Sequence, residues 1–243
     1  MLGRVTIPLA AANFMNQAGR TVMAIVGPAL AIELGLSASE LGMLAAFLFA
    51  AYALTQLPLG VALDAYGPRR VQAALMSLAA LGFATFALSS GFVGLAVGRI
   101  MIGIGISAGL MAVIKAHVDW FEHGRRAQLT GIAMAIGATG SVVATTPVQA
   151  LLPAIGWRGI FGLLGLFTLS VAVWIFLAVP DKPRAAGPAR TLLGDIAVSG
   201  QILTSRTFWR YGPAMGTLSM FNFVYLGLWA GPWLRDVAGM DGT

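Results

Sequence analysis

Read as a succession of apolar and polar positions, the chain is a series of long apolar runs with short polar interruptions. A membrane-crossing helix needs about 20 largely apolar residues. Seven runs reach that length: 6–32, 39–63, 71–90, 92–114, 127–151, 158–179 and 209–234. The first two are separated by Leu34-Gly35-Leu36-Ser37-Ala38-Ser39-Glu40, where Ser37 or Ser39 can cap the second helix and Glu40 suits its first turn. Segment 180–207 differs from the rest, with Pro180, Pro183, Gly187 and Pro188 ahead of a mildly amphipathic stretch from Leu192 to Leu203. The pattern predicts an all-α polytopic membrane protein in three parts. These are a six-helix transmembrane bundle over 1–180, a linker over 181–207, and a seventh helix within 208–243 that starts another bundle.

Composition supports the membrane reading. Charged residues make up 10% of the chain and hydrophobic residues 58%, against about 25% charged in soluble domains. The net charge of +6 matters less than its placement. Arg4, then Arg69 and Arg70, then Arg125 and Arg126, then Lys182, Arg184 and Arg190 fall in alternate connections. The connections between them hold Glu33 and Glu40, Ser89-Ser90-Gly91, and Arg158 at a helix start. Cytoplasmic loops carry the excess of Lys and Arg, which places the N-terminus in the cytoplasm and the protein in a bacterial inner, or plasma, membrane. Bases at membrane boundaries offer no solvent-facing basic surface, so the partner is the lipid bilayer and not a nucleic acid. The chain has no cysteine, which excludes disulfides, thiolate metal sites and cysteine nucleophiles. Arg4 leads into a long run that holds polar residues, and no cleavable signal is read there.

Polar residues inside the apolar runs are the candidates for chemistry. Asn13, Asn16, Gln17 and Arg20 follow the spacing i, i+3, i+4, i+7 and share one helix face. Arg20 lies near mid-membrane by helical rise, where a charge costs at least about 2.5–3.5 kcal/mol. It either binds solute in a water-filled cavity or pairs with another helix for structure; the first reading is carried forward. Tyr52, Thr55 and Gln56 share a face of the second helix, with Tyr52 read as a cavity wall. Arg99 in the fourth is either a functional cation or an interhelical hydrogen-bond anchor. In the seventh, Asn222, Tyr225 and Trp229 face one way, while Trp209 and Trp233 suit headgroup depth. Two deep arginines, with no acid deep in the first six helices, favour an organic or inorganic anion as the solute. Gly94, Gly98, Gly105 and Gly109, and Gly131, Gly137 and Gly140, read as close helix contacts.

Other chemistries find little support. His117-Val118-Asp119-Trp120-Phe121-Glu122-His123 holds two imidazoles and two carboxylates, but there is no further His or Cys to close a four-ligand zinc site. Walker, His-Glu-x-x-His and Gly-x-Ser-x-Gly patterns are absent from the sequence, so ATP-driven transport and hydrolysis have no residues to run on. No cofactor is expected.

The stretch Gly60-Val61-Ala62-Leu63-Asp64-Ala65-Tyr66-Gly67-Pro68-Arg69-Arg70 reads as a tight turn between two spans. It resembles the loop between helices 2 and 3 of the major facilitator superfamily. That resemblance implies a cytoplasmic gate built from Gly60, Asp64, Gly67, Arg69 and Arg70, with Asp64 latching two halves of a transporter. Ala65 departs from the family pattern, which has Arg or Lys there. Arg99-x-x-x-Gly103-x-Gly105 resembles the family's fourth helix, where the arginine is tied to proton coupling. Gly131 and Gly140 have the spacing of the antiporter signature, but Ala144-Thr145 stands where that signature has Gly-Pro. Gly156-Trp157-Arg158-Gly159-Ile160-Phe161-Gly162 resembles the family's start of helix 6. The implied protein is a secondary transporter moving a small anion by alternating access, with H+ as a candidate coupling ion. This chain would supply its N-terminal half plus helix 7. The alternatives are a seven-helix receptor or sensor that binds without transporting, and a membrane enzyme using His117 or His123.

Overall fold

The computed structural model describes residues 1–181, 204–224 and 237. A π-helical turn, Leu2–Thr6, leads into α1 (Ile7–Leu34). There follow α2 (Ala38–Leu88), α3 (Phe92–Ile106), α4 (Gly109–Trp120), α5 (His123–Val143), α6 (Thr146–Ala178) and α7 (Arg206–Val224). Among the described residues, four helical segments are long and apolar enough to cross a membrane: Ala38–Gln56, Pro58–Leu88, Phe92–Trp120 and Thr146–Ala178.

Single residues set where the rods reverse. α2 is helical on both sides of Gly67, whose φ of 83° and ψ of 164° divide it into two limbs. That backbone region is open essentially only to glycine. Pro68 follows as the first residue of the second limb, where its missing N–H costs nothing. The expected turn at 60–70 is therefore one residue wide. Gly156, at φ 65° and ψ 174°, divides α6 in the same way. Residues 146–151, assigned by pattern to the fifth span, accordingly form the first limb of α6. α5 ends at Ala144–Thr145, where φ −103° and ψ −91° at Thr145 break the helix without a Gly-Pro pair. The fourth span runs on to Trp120, past the predicted end at 114, because Lys115 and His117 are held by partners on other helices. Ser37, not Ser39, caps α2, in a reciprocal box with Glu40.

The chain divides into two compact units, Met1–Arg190 and Thr191–Thr243. In the first, the second limb of α2 runs antiparallel to α3, with Gly82 against Gly98 and Ala79 against Gly105. The first limb runs parallel to α3 and α4, in a register set by Leu44 with Arg99, Leu48 with Gly103, Gln56 with Ser107 and Asp64 with Lys115. α1 lies parallel to α5, with Asn13 over Gly137 and Phe14 over Gly140. The second limb of α6 closes on α2 through a ring stack of Phe86 on Phe161, centroids 4.1 Å apart, and Trp157 edge-on to Phe86. In the second unit, α7 begins at Arg206, ahead of the predicted start at 209, and Ser205 Oγ accepts the Phe208 N–H.

Ion pairs lie near the helix ends. Glu33 accepts from Arg158 and, at 2.6 Å, from the Trp157 indole N–H, while Arg158 also donates to the Ser89 carbonyl. At other helix ends, Asp181 faces Arg69 and Arg70 at 3.3 Å each. Arg69 Nε donates to the Phe176 carbonyl at 2.8 Å.

Packing of this kind predicts which glycines matter. A Cβ at Gly105 would collide with Ala79, whereas one at Gly131 would meet nothing within 4 Å. Gly105→Ala should therefore cost about 1–3 kcal/mol and Gly131→Ala less than about 0.5, read as melting of the purified protein in detergent. Glu33 gives a second prediction. It lies beyond the apolar span, and its hydrogen bonds to Arg158 and Trp157 hold its carboxyl below the ordinary 4.5. The stabilisation is present above the unfolded value and is lost as pH falls through the lower folded one. The Tm difference between wild type and Glu33→Gln should be visible at pH 7 and vanish on acidification below that range.

Candidate functional site

Arg20 sits midway along α1, about 20 Å from either end by helical rise. Its guanidinium lies over the Tyr52 ring of α2, 4.2 Å from the centroid, an arrangement in which a partly solvated cation gains about 0.5–2 kcal/mol. Both residues are half-buried, as are Gln17 on α1 and Thr55 and Gln56 on α2. Thr55 Oγ1 is turned back onto the Ala51 carbonyl at 2.7 Å. Gln56 Nε2 reaches the Ser107 carbonyl at 3.4 Å, at the junction between α3 and α4.

The polar face of α1 is divided between two environments. Asn13 is buried and donates to the Ala133 carbonyl of α5 at 3.2 Å. Asn16 is 3% exposed and packs on Gly109, so that a Cβ there would stand 2.7 Å from its amide nitrogen. Gln17 and Arg20 keep access to solvent. The helical spacing thus puts four polar residues on one face, but two lie in helix contacts, while Gln17 is half-buried and Arg20 lies over Tyr52.

Arg99 lies elsewhere. It is 1% exposed, and it donates through Nε to the Leu44 carbonyl at 3.2 Å and through Nη1 to the Gly19 carbonyl at 3.4 Å. Of the two sequence readings, this geometry is that of an interhelical anchor joining α1, α2 and α3. Asp64 is paired with Lys115 of α4 at 2.7 Å. Gly60 borders open space, where a Cβ would meet nothing within 4 Å. Asn222 falls in α7, and Tyr225, Trp229 and Trp233 lie outside the described residues. Trp209 is exposed, with its ring edge-on to Phe208.

Lys115 and Gln72 stand out only in the structure, and His117 takes a structural role there. Lys115 looked like the end of an apolar run, yet it is the partner of Asp64. Its spacing of 51 from Asp64 matches that of Gln56 to Ser107. His117 is buried, with Nε2 3.1 Å from Thr6 Oγ1 and Nδ1 2.9 Å from Thr130 Oγ1, which ties three helices together. His123 starts α5 away from that site. Gln72 is fully buried and neither of its polar side-chain atoms has a hydrogen-bond partner among the described residues. Nothing in the structure explains it.

Comparison with known proteins matches residues 9–243 to the family described as Major Facilitator Superfamily. A probable L-galactonate transporter of Escherichia coli (strain K12) is 30% identical over 243 residues, covering 95% of this chain and 53% of that protein. A hexuronate transporter of Bacillus subtilis (strain 168) is 28% identical over 173 residues, covering 71% of this chain and 41% of that protein. A hexuronate transporter of Escherichia coli (strain K12) is 27% identical over 241 residues, covering 90% and 56%. The chain spans about half the length of these curated relatives.

The anchor geometry of Arg99 gives a test. Lysine keeps the charge but cannot reach two carbonyls in a fixed fork. Arg99→Lys should therefore lower stability by about 1.5–3 kcal/mol, the worth of one charged hydrogen bond. The check is melting of the purified protein, with solute affinity unchanged in the molecules that remain folded.

Proposed function

Since the chain belongs to the major facilitator superfamily, we propose that it supplies the N-terminal half of a secondary transporter plus helix 7, carrying a small organic anion by alternating access. The family points to a transporter and not to an enzyme. The observation that carries the substrate class is the half-buried guanidinium of Arg20 on the Tyr52 ring, midway along α1. The relatives are named for L-galactonate and hexuronate transport, and both solutes carry a carboxylate. A planar guanidinium matches a carboxylate in bidentate fashion, and the ring beneath holds its plane. Gln17 and Gln56 add amides of the kind that read hydroxyls, which suits a sugar acid better than an inorganic anion. Asn222 and Tyr225 are proposed as further solute-binding residues.

The remaining assignments follow from the same reading. The Asp64–Lys115 pair and the Arg69–Asp181–Arg70 cluster support a gate at one membrane face, with Gly60 and Gly67 shaping its turn. The alternation of basic connections supports placing that face, and the N-terminus, in the cytoplasm of a bacterial inner membrane. A proton is the proposed coupling ion, because a cotransported positive charge would offset that of the anion.

The test is uptake of labelled L-galactonate and D-galacturonate by the complete protein in proteoliposomes. Arg20→Gln should reduce uptake by on the order of tenfold to a hundredfold, the loss of a charged hydrogen bond, and Arg20→Lys by less. Wild-type uptake by Arg20→Gln would overturn the assignment of Arg20. Absence of uptake of either sugar acid, with a neutral solute transported instead, would overturn the anion reading.

A further inference from the structure

An open groove of about 340 Å³ runs between the second limbs of α2 and α6. Small residues make its floor: Ala73, Ala74 and Ser77 on α2, and Ala172 on α6. Larger apolar side chains make its wall, with Phe176 52% and Leu177 75% exposed. This wall continues an outward face of α6 that is apolar at Leu163, Leu166, Phe167, Leu169, Val173 and Trp174, as a surface against lipid should be.

Charge is concentrated at one end of the groove. Arg70 stands there with its side chain 65% exposed. Among the described residues, Asp181 is shared between Arg69 and Arg70, so one carboxylate faces two guanidiniums and a positive charge is left over. Arg69 is committed elsewhere: it donates to the Phe176 carbonyl and lies over the Phe176 ring, 4.8 Å from its centroid. That contact holds the groove wall in place and leaves Arg70 as the arginine facing an incoming anion. From Arg70 to Ser77 the groove descends about 10 Å along the helix, the depth over which an acyl chain leaves its headgroup.

We propose that this groove binds an anionic phospholipid, with its phosphate on Arg70 and one acyl chain lying over the alanine floor. A neutral apolar groove would hold any acyl chain. The unbalanced arginine at one end selects for negative headgroups, and a basic residue at a membrane surface contributes about fivefold in affinity for them.

The complete protein, delipidated in detergent, would be titrated with phosphatidylglycerol or phosphatidylethanolamine of identical chains and read by native mass spectrometry. Wild type should retain phosphatidylglycerol about fivefold better. Arg70→Gln should abolish that preference while still binding both lipids weakly. Ala74→Leu, a change at an exposed position that fills the floor, should lower retention of both. Equal retention of the two lipids by wild type, or an unchanged preference in Arg70→Gln, would overturn the proposal. So would dimers that Ala74→Leu splits, since a second copy would then be the occupant.

Discussion

Inside a bilayer no water is at hand for a buried donor, so every charge must find its partners within the protein. Arg99 is where this constraint acts most strongly. It lies in the fourth span, fully enclosed, and backbone carbonyls of α1 and α2 receive its N–H groups. Carbonyl acceptors spend no second side chain and add no opposite charge, so the guanidinium keeps its fixed fork and sets the relative height of three helices. The parallel register from Leu44 to Asp64 runs on from that point.

The first unit uses one kind of contact twice. α1 lies parallel to α5, and the first limb of α2 lies parallel to α3 and α4. In each pair a glycine receives the backbone of the facing helix: Gly140 that of Phe14, and Gly103 that of Leu48. If the six rods are counted as two sets of three, first against fifth and fourth against second are the same contact with the sets exchanged. This is the relation expected of an inverted internal repeat. It leaves the first rod free to carry Arg20 while its neighbour in the other set carries the anchor Arg99. The two arginines, on helices related in this way, have different surroundings: one faces a ring and the other faces carbonyls.

Much of this was legible in the sequence, because in a membrane the apolar runs report the rods directly. The polar residues inside them report positions that need explaining. The pattern singled out Arg20, Tyr52, Gln56 and Asp64 as polar positions in or beside the apolar runs. It could not separate Asn13 and Asn16 from Gln17 and Arg20, since helical spacing defines a face about 100° wide and two different neighbours share it. It missed Lys115, and read His117 only as a candidate metal ligand or enzyme residue, because their partners, Asp64, Thr6 and Thr130, are distant in sequence and meet only through packing. The reversals at Gly67 and Gly156 were readable as breaks, but their width of a single residue depends on φ, which composition does not encode.

The divided face of α1 bears on how the cation is held. Asn13 and Asn16 lie two turns and one turn before Arg20, the first hydrogen-bonded to α5 and the second packed against α4 where it starts at Gly109. Each needs a glycine opposite it, Gly137 or Gly109, because only there can an amide side chain fit between two backbones. The asparagines thereby fix the rotation of α1 about its axis. With the rotation fixed, the direction of Arg20, one further turn along, is fixed too, and Tyr52 meets it from α2. The small-residue stripes that looked like mere packing are in this sense part of the site: they hold the helix so that its one deep charge faces the ring.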